Sequence, residues 1–490
     1  MTDFDIVVLG GGSGSQVATA AADEGLEAAV VEPGPLGGAC ITRGCVPSKA
    51  LIHRADVVDE IRRAERFGID AELTHVDFSA ITTAIHDTVY EKAERQERTL
   101  EDADGVTLYR GRGRFVDDHT IAIDAADGDD DDDSGERTRI TGETIVIATG
   151  SRPVVPPVDG LEEVGYLTSD DALFLEEQPD ELVIVGGGYI AAELGYCFSA
   201  LGTDVSIVGR SEQLLPREDG DVSEAVTRAL TAREGLEVYT DHEATAVSNG
   251  EGDATGKITV TVTVNETDAA DETFDLRTDE VLLATGRRPN TDRLGLENTA
   301  VELDDHGYVE TDGFLKTSAG NVWALGDVLG EQPFKHTADY EARCVAVNIL
   351  EDTQRTVDYS SMPHAVFTSP QVASVGKTEA ELRADDVEYE AVRVTYDAAP
   401  LGLILEEPES FVKVLAAPDG SVLGCHIVGT QASTMLHEVV VACQRGSGTV
   451  ADVAETVHIH PALNEAVLTA FDEAASRRYS TAPDWRGTSE

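Results

Sequence analysis

Lysine is scarce in this chain: seven residues in 490, beside 29 arginines and 93 aspartates and glutamates, for a formal net charge of −57. That deficit argues against binding a nucleic-acid backbone or an anionic membrane face, both of which need clustered cations. Long apolar runs are missing too. None reaches the roughly 18 residues of a membrane helix, and no signal peptide precedes the first strand-like segment. Cysteine is confined to positions 40, 45, 197, 344, 425 and 443, too dispersed for the disulfide framework of a small secreted protein. Together these absences read as a cytoplasmic chain. An acidic interaction tail would be local, whereas the acid here runs the whole length and is densest at 129–133. Dispersed acid with little lysine suits a protein kept soluble in very high salt, where self-repulsion is screened. The length exceeds one ordinary core, so two to four domains are expected.

The most informative stretch present is 37–49, Gly-Gly-Ala-Cys-Ile-Thr-Arg-Gly-Cys-Val-Pro-Ser-Lys. On a regular helix Cys40 and Cys45 would stand about 8.6 Å apart between Cα atoms, and a disulfide needs less than ~7 Å. If they pair, the backbone between them departs from helix, and Gly44 is where it can. Spacing alone leaves two structural thiols and an exchangeable redox pair equally open. Metal is the weaker option, because no second Cys-x-x-Cys or His pair stands nearby. A helix is expected over 48–62, which puts Cys45 near its N-terminus, where the dipole favours a thiolate.

Around this stretch lie two copies of one nucleotide-binding pattern. The first is an apolar strand at 5–9, the turn Gly10-Gly11-Gly12-Ser13-Gly14-Ser15, a helix over 16–24, a strand at 28–31 and the acid Glu32, twenty residues after Gly12. Glycines there let backbone approach a pyrophosphate at a helix N-terminus, and the acid accepts from a ribose hydroxyl. Ser15 stands at the third glycine position. The second copy runs from a strand at 182–185 through Gly186-Gly187-Gly188-Tyr189-Ile190-Ala191 to a helix at 192–201 and a strand at 204–208. It ends in Gly209-Arg210-Ser211 rather than an acid. Arg210, with Arg217 nearby, suits a 2′-phosphate and favours NADPH over NADH; two surface arginines are the alternative. Ala148-Thr149-Gly150 is echoed by Ala284-Thr285-Gly286. Prolines 153, 156 and 157 mark a domain exit. A helix is expected over 79–100, strands near 105–110 and 113–123, and a solvated hairpin tip over 127–139. Gly326-Asp327 closes a strand at 322–325. Alternating segments at 365–368, 390–394, 411–415 and 424–428 suggest an antiparallel sheet, with helices at 433–445 and 450–455. His458 and His460 precede Glu465, and a general acid is what the chemistry otherwise lacks.

These motifs together resemble the class I flavin-dependent pyridine nucleotide-disulfide oxidoreductases, the group of glutathione reductase, dihydrolipoamide dehydrogenase and mercuric reductase. The resemblance covers nearly the whole chain, and Gly-Gly-x-Cys-x4-Cys-x-Pro-x-Lys is its most specific part. It implies an α/β fold with two Rossmann-like domains and an α+β dimerisation domain. The expected parts are FAD-binding at 1–155, NAD(P)-binding at 156–284, FAD-binding again at 285–355 and interface at 356–490. One FAD per subunit and NADPH are implied, as is a homodimer with a shared active site. Catalytic roles fall on Cys40 as the thiol that exchanges with substrate, Cys45 facing the flavin, Lys49 paired with Glu193, and His460 with Glu465 from the other subunit. The implied cofactor-binding set is Gly10, Gly12, Gly14, Ser15, Glu32, Gly38, Lys49, Gly113, Thr149, Gly150, Ser151, Gly186, Gly188, Tyr189, Ile190, Arg210, Arg217, Gly286, Asp327 and His336. No metal is implied. The expected reaction is NADPH-dependent reduction of a small thiol disulfide. With an acidic, lysine-poor chain that resembles proteins of extreme halophiles, bis-γ-glutamylcystine is the favoured disulfide. Arg343 falls where glutathione reductase places an arginine for a carboxylate. A dihydrolipoyl dehydrogenase is the alternative; mercuric reductase, whose C-terminal cysteines are missing here, and glutathione reductase rank below it.

Overall fold

A computed structural model describes residues 2–124, 138–249, 257–264, 273–351 and 353–476. The acidic hairpin tip expected over 127–139 lies outside them up to residue 137. The first sheet is built from β1 (Thr2–Leu9), β2 (Ala28–Glu32), β3 (Val106–Arg110), β4 (Arg112–Asp117), β5 (Thr120–Asp124) and β6 (Thr138–Ile147), in the order β3-β2-β1-β6-β5-β4. The first three pair in parallel and β1 pairs in parallel with β6, while the β4–β5 hairpin is antiparallel. The expected strand at 113–123 is therefore two strands joined at a tight turn. Val7, Val8, Ile145 and Val146 are fully buried, as continuous apolar strands covered on both faces must be.

α1 (Ser15–Asp23) follows β1; α2 (Gly38–Thr42) and α3 (Cys45–Arg62) follow β2, and α4 (Phe78–Glu101) precedes β3. The second sheet repeats the plan with β7 (Glu181–Val185), α5 (Tyr189–Leu201), β8 (Asp204–Val208), α6 (Gly220–Thr231), β9 (Leu236–Tyr239) and, beyond an antiparallel trio at His242–Asn249, Ile258–Val264 and Thr273–Thr278, β10 (Glu280–Leu283); its order is β9-β8-β7-β10, all parallel. A short antiparallel ribbon, Ser151–Pro153 against Arg287–Pro289, ties together the chain leaving and re-entering the first unit. β11 (Val322–Ala324) returns to the first sheet beside β6, and α7 (Lys335–Leu350) packs on α1.

The C-terminal part is the expected antiparallel sheet, with five strands. In spatial order they are β12 (His364–Val366), β13 (Val372–Gly376), β16 (Val422–Val428), β15 (Phe411–Ala416) and β14 (Glu390–Thr395). α8 (Ala432–Arg445) covers it, and α9 (Asn464–Ser476) packs on β14 and β15. One buried ionic knot joins this sheet to α6. Lys413 Nζ reaches Asp219 Oδ1 at 2.6 Å, Asp221 Oδ2 at 2.9 Å and Glu379 Oε1 at 2.5 Å, with Lys413 and Asp219 almost fully enclosed.

Candidate active site

The two glycine turns are built alike. Gly10 (φ +114°) leaves no room for a side chain, because a Cβ there would stand 2.2 Å from the Ala148 carbonyl oxygen. Gly186 (φ +135°) meets the Ala284 carbonyl at 2.3 Å in the same way. Each Ala-Thr-Gly strand end is thus the floor against which a glycine turn is pressed. The structure moves the tight helix–strand contact from Ser15 to Gly14, where a Cβ would lie 2.6 Å from Ala148 Cβ and 2.8 Å from Val8 Cγ1. Ser15 instead opens α1 and donates its hydroxyl to the Gly12 carbonyl at 2.8 Å.

The cysteine stretch departs from helix where expected. Gly37 and Gly38 are both left-handed, α2 ends at Thr42, and Gly44 (φ −144°, ψ −113°) breaks the helix; a Cβ on it would meet Ala39 O at 2.8 Å. α3 then starts at Cys45, three residues earlier than expected. Pro47 is tolerated in its first turn, where an N–H would have no helical acceptor. A hydrogen bond from the Cys40 thiol, then the Lys49 ammonium one turn along α3, draw the Cys45 thiol down to about 7, against burial. The same bond and burial push Cys40 upward. Lys49 Nζ is 2.6 Å from Glu193 Oε2 and 4.9 Å above the Phe367 ring; the other oxygen, Glu193 Oε1, accepts from the Phe367 N–H at 2.8 Å.

Both cysteines open onto a cleft of about 530 Å³ at the carboxyl end of the first sheet. It is lined by Gly10, Gly12, Glu32, Gly38, Lys49, Gly113, Thr149, Gly150, Ser151, Tyr189, Ile190, Glu193 and Asp327 among the expected residues. Glu32 accepts from the Gly11 N–H (2.7 Å) and the Gly34 N–H (2.9 Å), which fixes its carboxylate beside the turn. Asp327 accepts from Ser151 Oγ at 2.6 Å, and Ser151 Oγ accepts from Arg287 Nε at 2.8 Å. Burial raises the Tyr189 hydroxyl to about 12, so it stays protonated at the rim. The cleft fits a dinucleotide. A Cβ on Gly150 would meet nothing within 4 Å, one on Gly12 only the Gly38 Cα at 3.7 Å, so bare backbone faces the space, with a carboxylate at either side for hydroxyl groups.

A second cavity of about 960 Å³ adjoins the first and shares Cys45, Lys49, Tyr189, Glu193, Pro333 and Lys335 with it. His336 lines this second cavity rather than the cleft, its Nε2 2.7 Å from Pro363 O. Gly186 and Gly188 belong to the second glycine turn and Gly286 to the Ala-Thr-Gly strand end facing it, with Arg210 and Arg217 exposed beyond the end of β8. His460 and Glu465 pair through Nδ1 and Oε1 at 2.9 Å, but neither lines either of these two cavities. Burial opposes the Glu465 carboxylate, and the His460 ring and Ala462 N–H outweigh it, holding Glu465 below its ordinary value.

Sequence reading missed Glu341. Its buried carboxylate accepts from the Gly326 N–H and the Tyr359 hydroxyl, each at 2.6 Å, directly behind Asp327. Burial raises it to about 7. In the unfolded chain it ionises near the ordinary value, so its contribution to stability is complete below about pH 4.5 and is lost as pH rises through 7. Glu341→Gln will therefore gain on the parent enzyme by about 2.5 kcal/mol between pH 5 and pH 8. Urea unfolding at both pH values measures this, and parallel pH dependences would sink it.

The profile described as pyridine nucleotide-disulphide oxidoreductase matches residues 4–348, and that of the family's dimerisation domain matches 362–471. The chain is 34% identical over 480 residues, 97% of each chain, to a protein of Haloarcula marismortui named dihydrolipoyl dehydrogenase 3. It is 33% identical over 481 residues, 97% of this chain and 84% of the relative, to a mercuric reductase of Staphylococcus aureus. Among solved structures, the HOCl-induced flavoprotein disulfide reductase RclA of Escherichia coli, in its Cu(II) complex, aligns with a TM-score of 0.83 at 25% identity, over 96% of this chain and 100% of the other. No helix among the described residues is long and apolar enough to cross a membrane. With its paired glycine turns, its cysteine stretch and a match over most of its length, the chain belongs to the pyridine nucleotide-disulphide oxidoreductase family and is an FAD-dependent enzyme.

Proposed function

We propose that this enzyme uses NADPH to reduce a small anionic disulfide, bis-γ-glutamylcystine, as a homodimer. The observation that carries the reading is the charge of the second cavity. A chain with 93 acidic and 36 basic residues lines it with Lys49, Lys335, Arg343, Arg355 and Arg445 against two carboxylates, Glu193 and Asp358. A polycarboxylate suits such a lining, and an uncharged lipoyl group has no use for it. In this reading residues 1–155 and 285–355 hold FAD, 156–284 hold the nicotinamide dinucleotide, and 356–490 form the interface. FAD, when bound, would carry two electrons from the nicotinamide to the oxidised Cys40–Cys45 disulfide, opening it to the dithiol. Glu32 and Asp327 take hydroxyl groups of that cofactor, and Lys49, fixed by Glu193, stands beside Cys45. Cys40 attacks the substrate disulfide and Cys45 resolves the mixed disulfide. The partner's His460, oriented by its carboxylate neighbour, protonates the departing thiolate.

Arg210, at the end of β8 where an NAD-selective strand carries an acid, supports NADPH. Arg210→Glu is expected to raise the KM for NADPH on the order of 10–100-fold, the worth of a lost charge-assisted contact, and to leave NADH nearly unaffected. Steady-state kinetics with both nucleotides measure it; a parent enzyme that already prefers NADH would overturn the assignment. The second reading, a dihydrolipoyl dehydrogenase, draws on the name of the Haloarcula relative. Crossing the two nucleotides against bis-γ-glutamylcystine, oxidised glutathione, lipoamide and mercuric ion in high salt separates the readings. Turnover of lipoamide with NAD, and none of bis-γ-glutamylcystine, would replace the first by the second.

A further inference from the structure

The stretch between the short helix Val450–Ala454 and α9 carries His460, and its side chains alternate sharply in exposure. Val457 and Ile459 are 95% and 76% exposed, whereas the ring of His458 between them is turned in and all but covered. One inward ring therefore fastens the chain just ahead of His460. Its partner is Glu438 of α8, twenty positions back, with His458 Nε2 2.7 Å from Glu438 Oε2. The other ring nitrogen, Nδ1, lies 2.9 Å from Thr456 O. A carbonyl oxygen only accepts, so Nδ1 carries a hydrogen, and the short contact at Nε2 then needs a proton of its own. Ring and carboxyl hold that proton between them. Burial raises the Glu438 carboxyl above its ordinary range, and the His458 ring pulls against it. The second oxygen, Glu438 Oε1, is enclosed and accepts from no donor among the described residues. Leaving a buried acceptor without a donor is costly. An apolar side chain on α8 would avoid that cost, so the carboxyl is kept for the one bond it makes.

We propose that Glu438 and His458 are a positioning pair that fixes the loop presenting His460, and so sets where that imidazole stands when it serves the other subunit. This rests on the reading of His460 as the acid of a shared site. His460 gives Nδ1 to Glu465 at the start of α9, at 2.9 Å. Glu465 thus orients the ring from the α9 side, while His458 ties the backbone two residues earlier to α8. Neither member of the pair meets substrate in this role. Both act only through His460.

The test is steady-state kinetics of the dimeric holoenzyme with bis-γ-glutamylcystine, or with lipoamide if that is the disulfide turned over. Reduction of ferricyanide, which needs no proton from His460, runs beside it. Glu438→Leu is expected to lower kcat for the disulfide about 10–100-fold, the effect of a displacement of about 1 Å, with KM and ferricyanide reduction little changed. Glu438→Gln should restore the rate, since its amide N–H can donate to a neutral His458 ring. His458→Phe fills the same space without the bond and should lose as much as Glu438→Leu. The double variant decides the matter. Glu438→Leu combined with His460→Gln should be no slower than His460→Gln alone, because residues that act as one unit do not add. Bound flavin and dimer size report whether each variant is folded, and His458→Phe takes the place of a Glu438→Leu that is not. Losses that multiply in the double variant, or a Glu438→Leu enzyme as fast as the parent, would overturn the pair's role. A His460→Gln enzyme with parent activity would instead overturn the reading of His460, and this inference with it.

Discussion

Replacing Cys45 by serine will abolish disulfide reduction, by at least about 10³-fold, and leave FAD bound. The cleft is shaped by backbone at Gly10, Gly12 and Gly150 and by the carboxylates of Glu32 and Asp327, none of which leans on the thiol. Electron transfer from the reduced nicotinamide dinucleotide to an artificial acceptor should persist, because it bypasses the dithiol. Cys40→Ser is expected to be as inactive toward disulfides but to differ in one respect. It keeps the Cys45 thiolate at the α3 N-terminus beside Lys49 while removing the hydrogen bond that most lowers its proton affinity. Its alkylation midpoint should therefore lie above the value of about 7 set by the intact pair. Either variant retaining more than a tenth of parent disulfide reductase activity would place the exchange elsewhere.

The largest effect on stability is expected at Lys413. Its ammonium is the common partner of Asp219, Asp221 and Glu379, and it is as enclosed as the aspartate it holds. Burial works against the Asp219 and Glu379 carboxylates, yet the Lys413 bonds leave both below their ordinary values. Lys413→Met leaves that charge buried and uncompensated, which costs about 3–5 kcal/mol near neutral pH. In the parent, these carboxylates contribute stability above the ordinary carboxylate range and lose it as pH falls through their depressed values. In the variant, burial raises them, so they take up protons early and the deficit narrows toward pH 5. Denaturant unfolding at pH 7.5 and pH 5 measures both arms; a deficit that does not change with pH would mean that lost packing, not charge, is responsible.

Local pattern carried a great deal here. A parallel strand ending in glycines, a helix and a second strand ending at Glu32 can be recognised because all the signals fall within thirty residues, and the echo at Gly186 doubles them. The break at Gly44 was also legible, since two cysteines five apart cannot meet along a helix. What escaped was long-range. Glu341 meets Gly326 and Tyr359 only because α7 folds back under β11, and Lys413 finds Asp219 across 194 positions. No propensity or spacing encodes such pairs. Lys335 did have a signal, the rarity of lysine itself, but its place where the two cavities meet required the fold. The His460–Glu465 pair was read as a unit and is one, although within a single subunit it lines neither the cleft nor the second cavity.

Glu193 also has a mechanical meaning. Its carboxylate sits on α5 and is held from two sides, by Lys49 of α3 and by the backbone of Phe367 just beyond β12. Three separately folded stretches thus converge on two oxygens of one enclosed side chain. Rocking any one of them shears a short bond that water cannot readily replace. The aperture beside Cys45 is cross-braced, and its width is set by the assembly rather than by any single element. Substrate preference can then drift at the unbraced rim, around Arg343 and Arg445, without changing the distance over which electrons cross.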